Sequence, residues 1–493
     1  MRDVLGVQLF FNSDVQVAVF IILLLPPVMM GLVHAILYFQ GRRKRGEYQG
    51  SNAVGEDGVL SRVTVVVPVK DEPESLVFGM INYMARLGGE LRGDYEVIFV
   101  CDDPLERAMP VKENAERLAK DLGLKVRFMI RTEGRKGRAA ALNWVVRNFA
   151  KDVVVILDVD TRPQPGYLTS LVKCVQKGNA ACVGRWDGYW ITPTKLACAV
   201  GFSMKYLVDT LYRGRSSKGF FVFPLGSGTA FDKKALLNVG LWDEGIVQDD
   251  MHMGTKLMWK GYKVGFVDNV LLKVLVPSRY EALKLQQARW SYGAMETLKN
   301  GWKRILHSPY PVLKRVEAAL FLMQYVPHAL LALSGIVIPV LALLLRQDVM
   351  LLGVVPTVSL LALIGLYGYS FYSSLREAGL SRSMTIRTMG ASSSFTISLS
   401  PVVLAYTLVG LLRNRYSYRV TPKGESESTL VSRCLEEKVF LAYVVGMMIL
   451  NIILGNYATG LWLLMFAAPL IYTLTNAERI IELRSPQPGL GSS

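Results

Sequence analysis

Residues 153–160 read VVVILDVD, an unbroken apolar run that ends on two aspartates, Asp158 and Asp160. A continuous run of β-branched residues is typical of a strand buried on both faces of a parallel sheet. Open parallel sheets bind ligands beyond the carboxyl ends of their strands, so both aspartates are expected at a site. Paired carboxylates on one side suit a divalent cation and the polyphosphate that it neutralises. Simple turn chemistry is the alternative explanation of an Asp-x-Asp pair.

The composition predicts a membrane protein with a soluble part. The chain has 493 residues, 51% of them hydrophobic and 19% charged, with a mean hydropathy of +0.29. That is too apolar for an ordinary soluble enzyme, and the length allows two or three domains. We attribute the formal net charge of +16 to basic cytosolic loops and anionic lipid, in preference to nucleic-acid binding. The five cysteines show no C-x-x-C pair and no zinc-finger spacing, so we predict neither disulfides nor a zinc site.

The first apolar segment, at residues 17–39, is long enough to span a bilayer. It is followed directly by the basic run RRKR at 42–45, whereas a cleaved signal peptide carries its charges before the apolar core. We therefore predict an uncleaved span and basic flank over residues 1–45, with the amino terminus outside. A linker at 46–61 then leads into a cytosolic domain.

Residues 62–295 show the alternating pattern of an α/β domain. Apolar runs alternate with segments of helical periodicity, which predicts a parallel sheet with helices on both faces. Three of the runs end on polar clusters that contain paired carboxylates, namely Asp71 and Glu72, Asp102 and Asp103, and Asp158 and Asp160. Carboxylates gathered at one sheet edge repel one another unless a cation or a hydrogen-bonded ligand is present. The repetition favours a nucleotide and metal site.

Four further segments stand out by their residue types. Residues 135–143 read RKGRAAALN, and cations beside acidic strand ends can clamp a diphosphate, although a solvated helix start is the alternative. This segment lacks the spacing of a P-loop or of a dinucleotide-binding turn, which disfavours both folds. The other three read GSGTAF at 226–231, QDDMH at 248–252 and QQARW at 286–290. None of these three indicates a function when it is taken alone.

Taken in order, these segments resemble the D, D, D, Q-x-x-R-W signature of the processive membrane glycosyltransferases of family 2, the cellulose, chitin, hyaluronan and mannan synthases. The resemblance runs over about residues 62–295 and continues into the membrane part. The matching positions are Asp102 and Asp103, Asp158 and Asp160, Gln248, Asp249 and Asp250 for the family's T-E-D, and Gln286, Arg289 and Trp290. It implies an α/β fold, a cytosolic GT-A-type domain with a parallel or mixed sheet, inserted in an α-helical transmembrane bundle.

The resemblance also implies a role for each position. Asp250, with Asp249 beside it, is the base that takes the proton of the acceptor hydroxyl. Trp290 and Gln286 bind the acceptor, since an aromatic face suits pyranose C–H groups. A Mg²⁺ or Mn²⁺ ion is held by Asp160 and Asp158. The residues that bind the nucleotide sugar are Asp71, Glu72, Asp102, Asp103, Arg138, Asp158, Arg289, Thr421 and Lys423.

The sequence departs from the family pattern around the predicted base. Gln248 and Asp249 replace the usual Thr and Glu, and Arg138 replaces the usual Lys, which keeps the charge but changes its geometry. Residues 418–423 read YRVTPK and resemble the F-x-V-T-x-K gating loop of cellulose synthases, with Tyr for Phe. A juxtamembrane basic loop is the alternative explanation of this short motif.

The membrane half is predicted from hydropathy and charge. An interfacial helix is expected at 296–317, and transmembrane pairs are expected at 318–374 and 438–475, before a polar tail at 476–493. Residues 375–437 are predicted to be interfacial or re-entrant and to hold the gating loop, because a crossing at 395–412 would place a basic segment outside. This gives about five spans in the cell membrane, with the catalytic domain in the cytosol.

The sequence thus predicts an inverting, metal-dependent glycosyltransferase whose partners are a nucleotide sugar, an acceptor and the lipid bilayer. A UDP-sugar is favoured over GDP-mannose, and the acceptor is a growing polysaccharide that passes through the spans. A single-transfer enzyme that glycosylates a lipid carries similar motifs and is the alternative. A catalytically silent channel or binding protein is disfavoured, because such a protein has no need to keep repelling carboxylates together.

Overall fold

The structure is a computed structural model that describes residues 10–44, 62–87, 94–413, 422, 424–430 and 433–481. The linker at 46–61 and the two gating-loop residues Thr421 and Lys423 therefore lie outside the described residues. The predictions for these positions remain predictions.

The soluble domain is built on a mixed sheet. Within the described residues it has eight strands in the order β3-β2-β1-β4-β7-β6-β8-β5. The strands are β1 (Val63–Val69), β2 (Tyr95–Cys101), β3 (Val126–Ile130), β4 (Val153–Ile156), β5 (Thr161–Pro163), β6 (Ala181–Tyr189), β7 (Thr229–Asp232) and β8 (Val264–Leu275). Strands β1 to β4 are parallel, whereas β7 pairs antiparallel with β4. The predicted α/β class with a parallel or mixed sheet is confirmed.

Helices cover this sheet and form the membrane half. In the soluble domain they are α3 (Glu74–Arg86), α4 (Leu105–Asp121), α5 (Arg138–Asn148), α6 (Tyr167–Gln176), α7 (Lys195–Val208), α8 (Arg215–Ser217), α9 (Lys233–Asn238), α10 (Asp249–Trp259) and α11 (Tyr280–Leu306). They are preceded by α1 (Asp14–Val19) and α2 (Leu25–Arg43), and followed by α12 (Val312–Leu322), α13 (Val326–Leu345), α14 (Val354–Glu377), α15 (Arg382–Leu412), α16 (Leu435–Ile453) and α17 (Tyr457–Asn476). Two π-helical turns occur at Phe20–Leu24 and Asp209–Gly214, and a 3₁₀ turn at Gly424–Thr429.

The central strands are apolar throughout because both of their faces are covered. Val65 and Val155 lie in the core formed with α3 and α4, whereas Val66 and Val154 lie in the opposite core with α5. Alternate residues of one strand thus enter two different cores. Because both cores hold β4 in place, the end of the strand at Ile156 and the residues that follow it also have a fixed position.

The prediction that the chain has no disulfide is wrong. Cys174 near the end of α6 is bonded to Cys182 of β6. A turn through Gly178, whose φ is +90°, brings the end of the helix beside the strand. The linear spacing of the two cysteines carries no sign of this contact, because the helix-to-strand packing creates it.

Five helical segments are long and apolar enough to cross a membrane. Within the described residues they are Asp14–Arg43, Val326–Leu345, Val354–Glu377, Arg382–Leu412 and Tyr457–Asn476. Residues 395–412, which are predicted to be interfacial or re-entrant, belong to the continuous helix α15. Helix α16, which falls in the predicted pair at 438–475, is not among the five because Glu436, Glu437 and Lys438 occupy its first turn.

The predicted interfacial helix at 296–317 also has different bounds. Residues 296–306 complete α11, and a separate amphipathic helix, α12, begins at Val312. On α12 an exposed apolar stripe is formed by Val312, Leu313, Val316 and Leu320. The Glu317 carboxylate lies on another side of the helix and accepts from Arg215 Nε at 2.7 Å.

The helical bundle has two distinct ends. At one end, Gln16 Nε2 donates to the carbonyl of Leu351 at 2.9 Å, and Thr459 Oγ1 donates to Asp348 at 2.7 Å. These contacts join the start of α1, the α13–α14 connection and the α16–α17 turn. At the other end, Arg42 Nε lies 2.6 Å from Glu377, which joins α2 to the end of α14. The soluble domain is attached at this second end.

Helix α15 lies at the end of the bundle that carries the soluble domain. Ser392 lies 3.0 Å from Ser203 of α7, and Ser398 Oγ donates to Thr473, near the end of α17, at 2.8 Å. Toward its other terminus, a Cβ built on Gly410 would lie 2.7 Å from the Tyr292 carbonyl of α11. The helix therefore touches the soluble domain both at Ser392, in its first half, and at Gly410, close to its end.

A buried ion-pair network lies where the soluble domain meets the first span. Asp209 contacts Lys205, Arg213 and Arg185, and Asp268 contacts Arg213 and Arg185. We call these five residues the junction cluster. Beside it, a Cβ on Gly41 of α2 would lie 3.0 Å from the Gly214 nitrogen, so the two backbones touch directly.

Candidate active site

The chain leaves β4 at Ile156 and turns sharply through the two aspartates of the D-x-D motif. Thr161 Oγ1 donates to the Asp158 carbonyl at 2.8 Å, and Tyr189 OH donates to the Asp160 carbonyl at 2.9 Å. The Asp158 side chain is 41% exposed, whereas Asp160 is buried. The motif is thus both an ordered turn and an accessible carboxylate edge, so turn chemistry does not exclude the site.

The glycine-rich segment at 226–228 holds this turn. Ser227 Oγ accepts from the Asp158 amide at 2.8 Å, and the Gly228 amide donates to the Ile156 carbonyl at 2.7 Å. Gly228 has a φ of +72°, and any Cβ there would collide with the hydroxyl of Tyr167. Only glycine fits this position, which explains the glycine at the third position of the segment GSGTAF.

The predicted base lies at the start of α10. Asp250 accepts from the Met251 amide at 2.8 Å, and its Oδ2 lies 3.3 Å from the point where a side chain on Gly226 would begin. Loss of hydration, followed by the negative charge of Asp249, raises the pKa of the partly buried Asp250 carboxyl to about 6. A carboxylate with that pKa is ionised at neutral pH and still basic enough to accept a proton.

Arg138, the first residue of α5, connects the two acidic motifs. Its Nη1 lies 2.7 Å from both carboxylate oxygens of Asp249. Its Nη2 donates to the Gly226 carbonyl and lies 3.5 Å from Asp158 Oδ1. The D-x-D turn, the glycine-rich segment and the base motif thus meet at one guanidinium group.

The acidic pairs after β1 and β2 form a second group. Asp102 accepts from Arg131 at 3.0 Å and from the Gly137 amide at 2.7 Å, which fixes the turn before Arg138. Asp103 accepts from the Asp71 amide at 2.9 Å. Asp71 has a φ of +55° and pairs with Arg107 at 2.9 Å.

A pocket opens between α3 and α4 beside this second group. Glu72 and Asp103 contribute to its wall, together with Val69, Pro73, Glu74, Val77, Cys101, Arg107, Ala108 and Val111. The structure therefore brings Asp71, Glu72 and Asp103 to one edge of the sheet, as the strand pattern predicts.

The Q-x-x-R-W residues lie on α11. Gln286 is buried, whereas Arg289 and Trp290 are partly exposed. The next turn of α11 packs on the base motif, because a Cβ on Gly293 would lie 2.6 Å from Gln248 Cβ. The Q-x-x-R-W residues therefore lie on the helix that packs beside the base motif.

Sequence reasoning missed several residues that organise the site. Arg131 and Gly137 hold Asp102, and the Trp186 indole donates to the Ser227 carbonyl at 3.0 Å. Behind the base loop, Glu296 accepts from the Val247 amide at 2.8 Å. Neither Arg131 nor Glu296 belongs to a recognisable motif, so only the fold shows that they act on the site.

The carboxylates fit a metal that is shared with a substrate. Among the described residues there is no group of three or more His, Cys, Asp or Glu side chains that could hold an ion. Asp158 and Asp160 offer carboxylate oxygens only, which are the ligands that Mg²⁺ and Mn²⁺ prefer. Mg²⁺ is commonly bound by one or two carboxylates, with substrate phosphates and water completing its shell.

Comparison with known families agrees with this geometry. The model of the glycosyl transferase family group 2 matches residues 153–475, and that of glycosyl transferase family 2 matches residues 64–236. The chain belongs to family 2 of the glycosyltransferases. The predicted family, enzyme class and GT-A-like domain are therefore confirmed.

Several relatives of this family 2 glycosyltransferase are known. A probable glycosyltransferase of Sulfolobus acidocaldarius is 28% identical, over 84% of this chain and 89% of the relative. Glucomannan 4-beta-mannosyltransferase 7 of Arabidopsis thaliana is 28% identical over 43% of this chain and 39% of the relative. Poly-beta-1,6-N-acetyl-D-glucosamine synthase of Staphylococcus aureus (strain COL) is 25% identical over 56% of this chain and 65% of the relative.

A solved structure of similar fold is the mannosyltransferase of Pyrobaculum calidifontis in complex with GDP-Man and Mn²⁺. Its TM-score is 0.49 at 18% identity, and the match covers 81% of this chain and 98% of that one.

Proposed function

We propose that this glycosyltransferase inverts the anomeric centre of a nucleotide sugar and adds the sugar to a growing polysaccharide. The observation that carries the proposal is the meeting of Asp158, Asp249 and Asp250 around Arg138 and Gly226. Carboxylates from two separate segments converge there, and the Asp158 side chain among them is 41% exposed. Such an arrangement suits a site where a divalent metal ion, a diphosphate and a reacting hydroxyl must lie side by side.

Asp250 is proposed as the general base. It takes the proton of the acceptor hydroxyl while that oxygen forms a bond to the anomeric carbon of the donor. The bond from this carbon to the phosphate oxygen breaks on the opposite face, and its electron pair leaves with the nucleoside diphosphate. Attack and departure on opposite faces invert the configuration.

Asp158 and Asp160 are proposed to hold Mg²⁺ or Mn²⁺ together with the diphosphate. When bound, the ion supplies positive charge that stabilises the leaving group. Arg289 is placed on α11 to add a second positive charge. The base and ribose of the donor would occupy the edge formed by Asp71, Glu72, Asp102 and Asp103.

The polysaccharide acceptor is supported by the names of two relatives. The plant relative is named for glucomannan and the staphylococcal one for poly-N-acetylglucosamine. Both a UDP-sugar and GDP-mannose fit the proposed chemistry. Trp290 and Gln286 are the proposed acceptor contacts, and the Thr421 and Lys423 loop is a proposed contact to the diphosphate.

We propose five membrane spans, formed by α1–α2, α13, α14, α16 and α17. Helix α15 is apolar enough to cross, but it contacts the soluble domain both at Ser392 and at Gly410, so it is proposed to lie along the interface. The charges that open α16 support this topology, because Lys284 of α11 pairs with Glu436 at 2.9 Å. The start of α16 therefore lies beside the soluble domain.

The orientation follows from charge. Arg42 and Arg43 close α2 at the end that carries the soluble domain, whereas Asp14, Asp348 and a single arginine, Arg346, lie at the opposite end. By the positive-inside rule the soluble domain is cytosolic. We therefore propose a protein of the cell membrane, with the stripe of α12 (Val312, Leu313, Val316 and Leu320) resting on the inner leaflet.

The test is release of nucleoside diphosphate by the purified protein in detergent, with Mn²⁺ or Mg²⁺ and a panel of UDP- and GDP-sugars. We expect metal-dependent turnover with one donor class and a product of high molecular weight. A small lipid-linked product would replace the polymer synthase with a single-transfer enzyme. Absence of turnover with every donor would contradict the proposed activity.

A further inference from the structure

We infer that Arg138 is a positioning residue that sets the place of the base motif, and not a ligand of the donor diphosphate. The inference rests on the proposed function, since it assigns a part in that reaction. It revises the donor-binding role that the family resemblance implies for this position.

The hydrogen-bonding capacity of Arg138 is largely used within the protein. Its Nη1 lies 2.7 Å from both oxygens of Asp249, and its Nη2 faces the Gly226 carbonyl and Asp158. Both Nη nitrogens of the guanidinium group are therefore engaged in contacts within the protein. The side chain is 23% exposed and Asp249 is 10% exposed, so the pair is shielded from solvent.

The position of Arg138 is itself fixed by its neighbours. Gly137, with a φ of +125°, caps α5, and its amide donates to the buried Asp102 at 2.7 Å. Asp102 is held in turn by Arg131. Arg138 therefore starts from an anchored backbone, and its contact with Asp249 transmits that position to the first turn of α10.

Gly226 lies between the guanidinium group and the base. A Cβ at this glycine would lie 4.0 Å from Arg138 Nη2 and 3.3 Å from Asp250 Oδ2. A displacement of Arg138 would therefore move Gly226 and, through it, alter the surroundings of Asp250. Arg138 also contacts Asp249, which directly precedes the base in the chain.

The lengths of the Arg138 and Asp249 side chains are complementary across the gap that they bridge. Arg reaches further than Lys, and Asp is one methylene shorter than Glu, so an Arg–Asp pair spans about the same gap as a Lys–Glu pair. Replacing Arg138 alone by Lys would leave a gap, and replacing Asp249 alone by Glu would create an overlap. Exchanging both residues together should preserve the distance between the two backbones.

The test is a double-mutant cycle of Arg138→Lys, Asp249→Glu and the two combined. For each variant we would measure kcat and the donor KM, with the Kd of the nucleoside diphosphate in the presence of Mn²⁺. We expect each single change to lower kcat about tenfold and the combination to return it to within about threefold of the wild type. The donor KM and the Kd should stay within about twofold, since no donor contact is lost.

Two results would overturn the inference. One is a double variant no better than its worse parent. The other is a weaker diphosphate Kd in Arg138→Lys that Asp249→Glu does not repair, because that pattern belongs to a diphosphate ligand. A matched control pair, Arg127→Lys with Glu96→Asp, alters an ion pair on β3 and β2, and kcat should not change.

A second measurement separates this inference from the proposed function. If the wild type turns over no donor, the proposed function fails, and the coupling is then read from the midpoints of thermal unfolding. We expect both single variants to unfold at lower temperature and the double variant to recover the wild-type midpoint. Additive losses would show that the two positions are not coupled and would overturn the inference.

Discussion

Two buried groups of arginine and aspartate in this molecule differ in their balance of charge. The junction cluster sets Arg185, Lys205 and Arg213 against two carboxylates. At the candidate active site, Arg138 faces three carboxylates, those of Asp158, Asp249 and Asp250. Among these named residues, cations outnumber anions in the first group, and anions outnumber cations in the second.

The difference shows what each group is built for. In the junction cluster the ion pairs are made within the protein, so the cluster can serve as a fixed attachment between the soluble domain and the first span. The active site instead sets Asp249 and Asp250 side by side and close to Asp158, and like charges placed together cost stability unless a cation neutralises them. The comparison therefore predicts that changes at the site act mainly on turnover, whereas changes at the junction act on stability and leave the donor KM unchanged.

The largest effect is expected for Asp250→Asn. Removing the base should lower turnover at least a hundredfold, because positioned proton transfer contributes that much or more. Binding of the nucleoside diphosphate with Mn²⁺, measured by calorimetry, should remain largely intact. An unchanged rate would refute the assignment of the base and with it the chemical half of the comparison.

Asp160→Ala should abolish the metal dependence of nucleotide binding. The variant removes one of the two carboxylates proposed to hold the ion, so affinity with Mn²⁺ should fall to the level seen in EDTA. A titration of nucleoside diphosphate with and without metal measures this. Strong binding that never required metal would contradict the D-x-D assignment.

At the junction cluster, Asp209→Asn should mainly destabilise the protein. Asp209 is buried among Lys205, Arg213 and Arg185, and breaking a buried pair costs about 3–5 kcal/mol because it leaves charge uncompensated. The midpoint of thermal unfolding in detergent should therefore fall, while the donor KM of the folded fraction stays unchanged. A variant of normal stability with a raised KM would erase the contrast between the two groups.

The smallest effect is a shift of pH dependence. Because the pKa of Asp250 is raised to about 6, kcat/KM should fall as the pH drops through 6 and the base becomes protonated. The charged and titratable groups that face Asp250 are Asp249, Arg138 and Tyr212 of the π-helical turn. Asp249→Asn removes a like charge, so the acid limb should move to lower pH; a shift to higher pH would contradict the proposed electrostatics.

The raised pKa of Asp250 also makes the stability of the protein depend on pH. Asp250 binds a proton more tightly in the folded protein than at its ordinary value of 3.8, so its contribution to stability is lost as the pH rises through 6. Asp250→Asn should therefore raise the unfolding midpoint at pH 8 and have less effect at pH 5. An equal change of the unfolding midpoint at pH 5 and at pH 8 would argue against a raised pKa of Asp250.

The acidic pairs of the site could be predicted from the sequence because they follow the ends of β1, β2 and β4. The run that ends on Asp158 and Asp160 identified the buried strand and its exposed edge together. The pairing of Arg138 with Asp249 could not be predicted, since it joins segments that the linear sequence keeps far apart. The Cys174–Cys182 bond escaped for the same reason, because it depends on how α6 packs on β6.

The membrane half shows a different limit of sequence reasoning. Hydropathy alone makes α15 a span and leaves α16 out, whereas the contacts of α15 with the soluble domain and the Lys284–Glu436 pair support the reverse. The predicted interfacial nature of this region came from the positive-inside rule, which weighs the charges beyond a helix. An apolar segment can be buried either in lipid or in protein. Its contacts in the folded structure show which of the two covers it.

The measurement that tests the central claim most directly is the anomeric configuration of the first bond formed. The purified protein would be given its preferred α-linked nucleotide sugar, and the product examined by NMR beside that of Asp250→Asn. We predict a β-linked product from the wild type and none from the variant. An α-linked product from the wild type would contradict the proposed inverting transfer with Asp250 as its base.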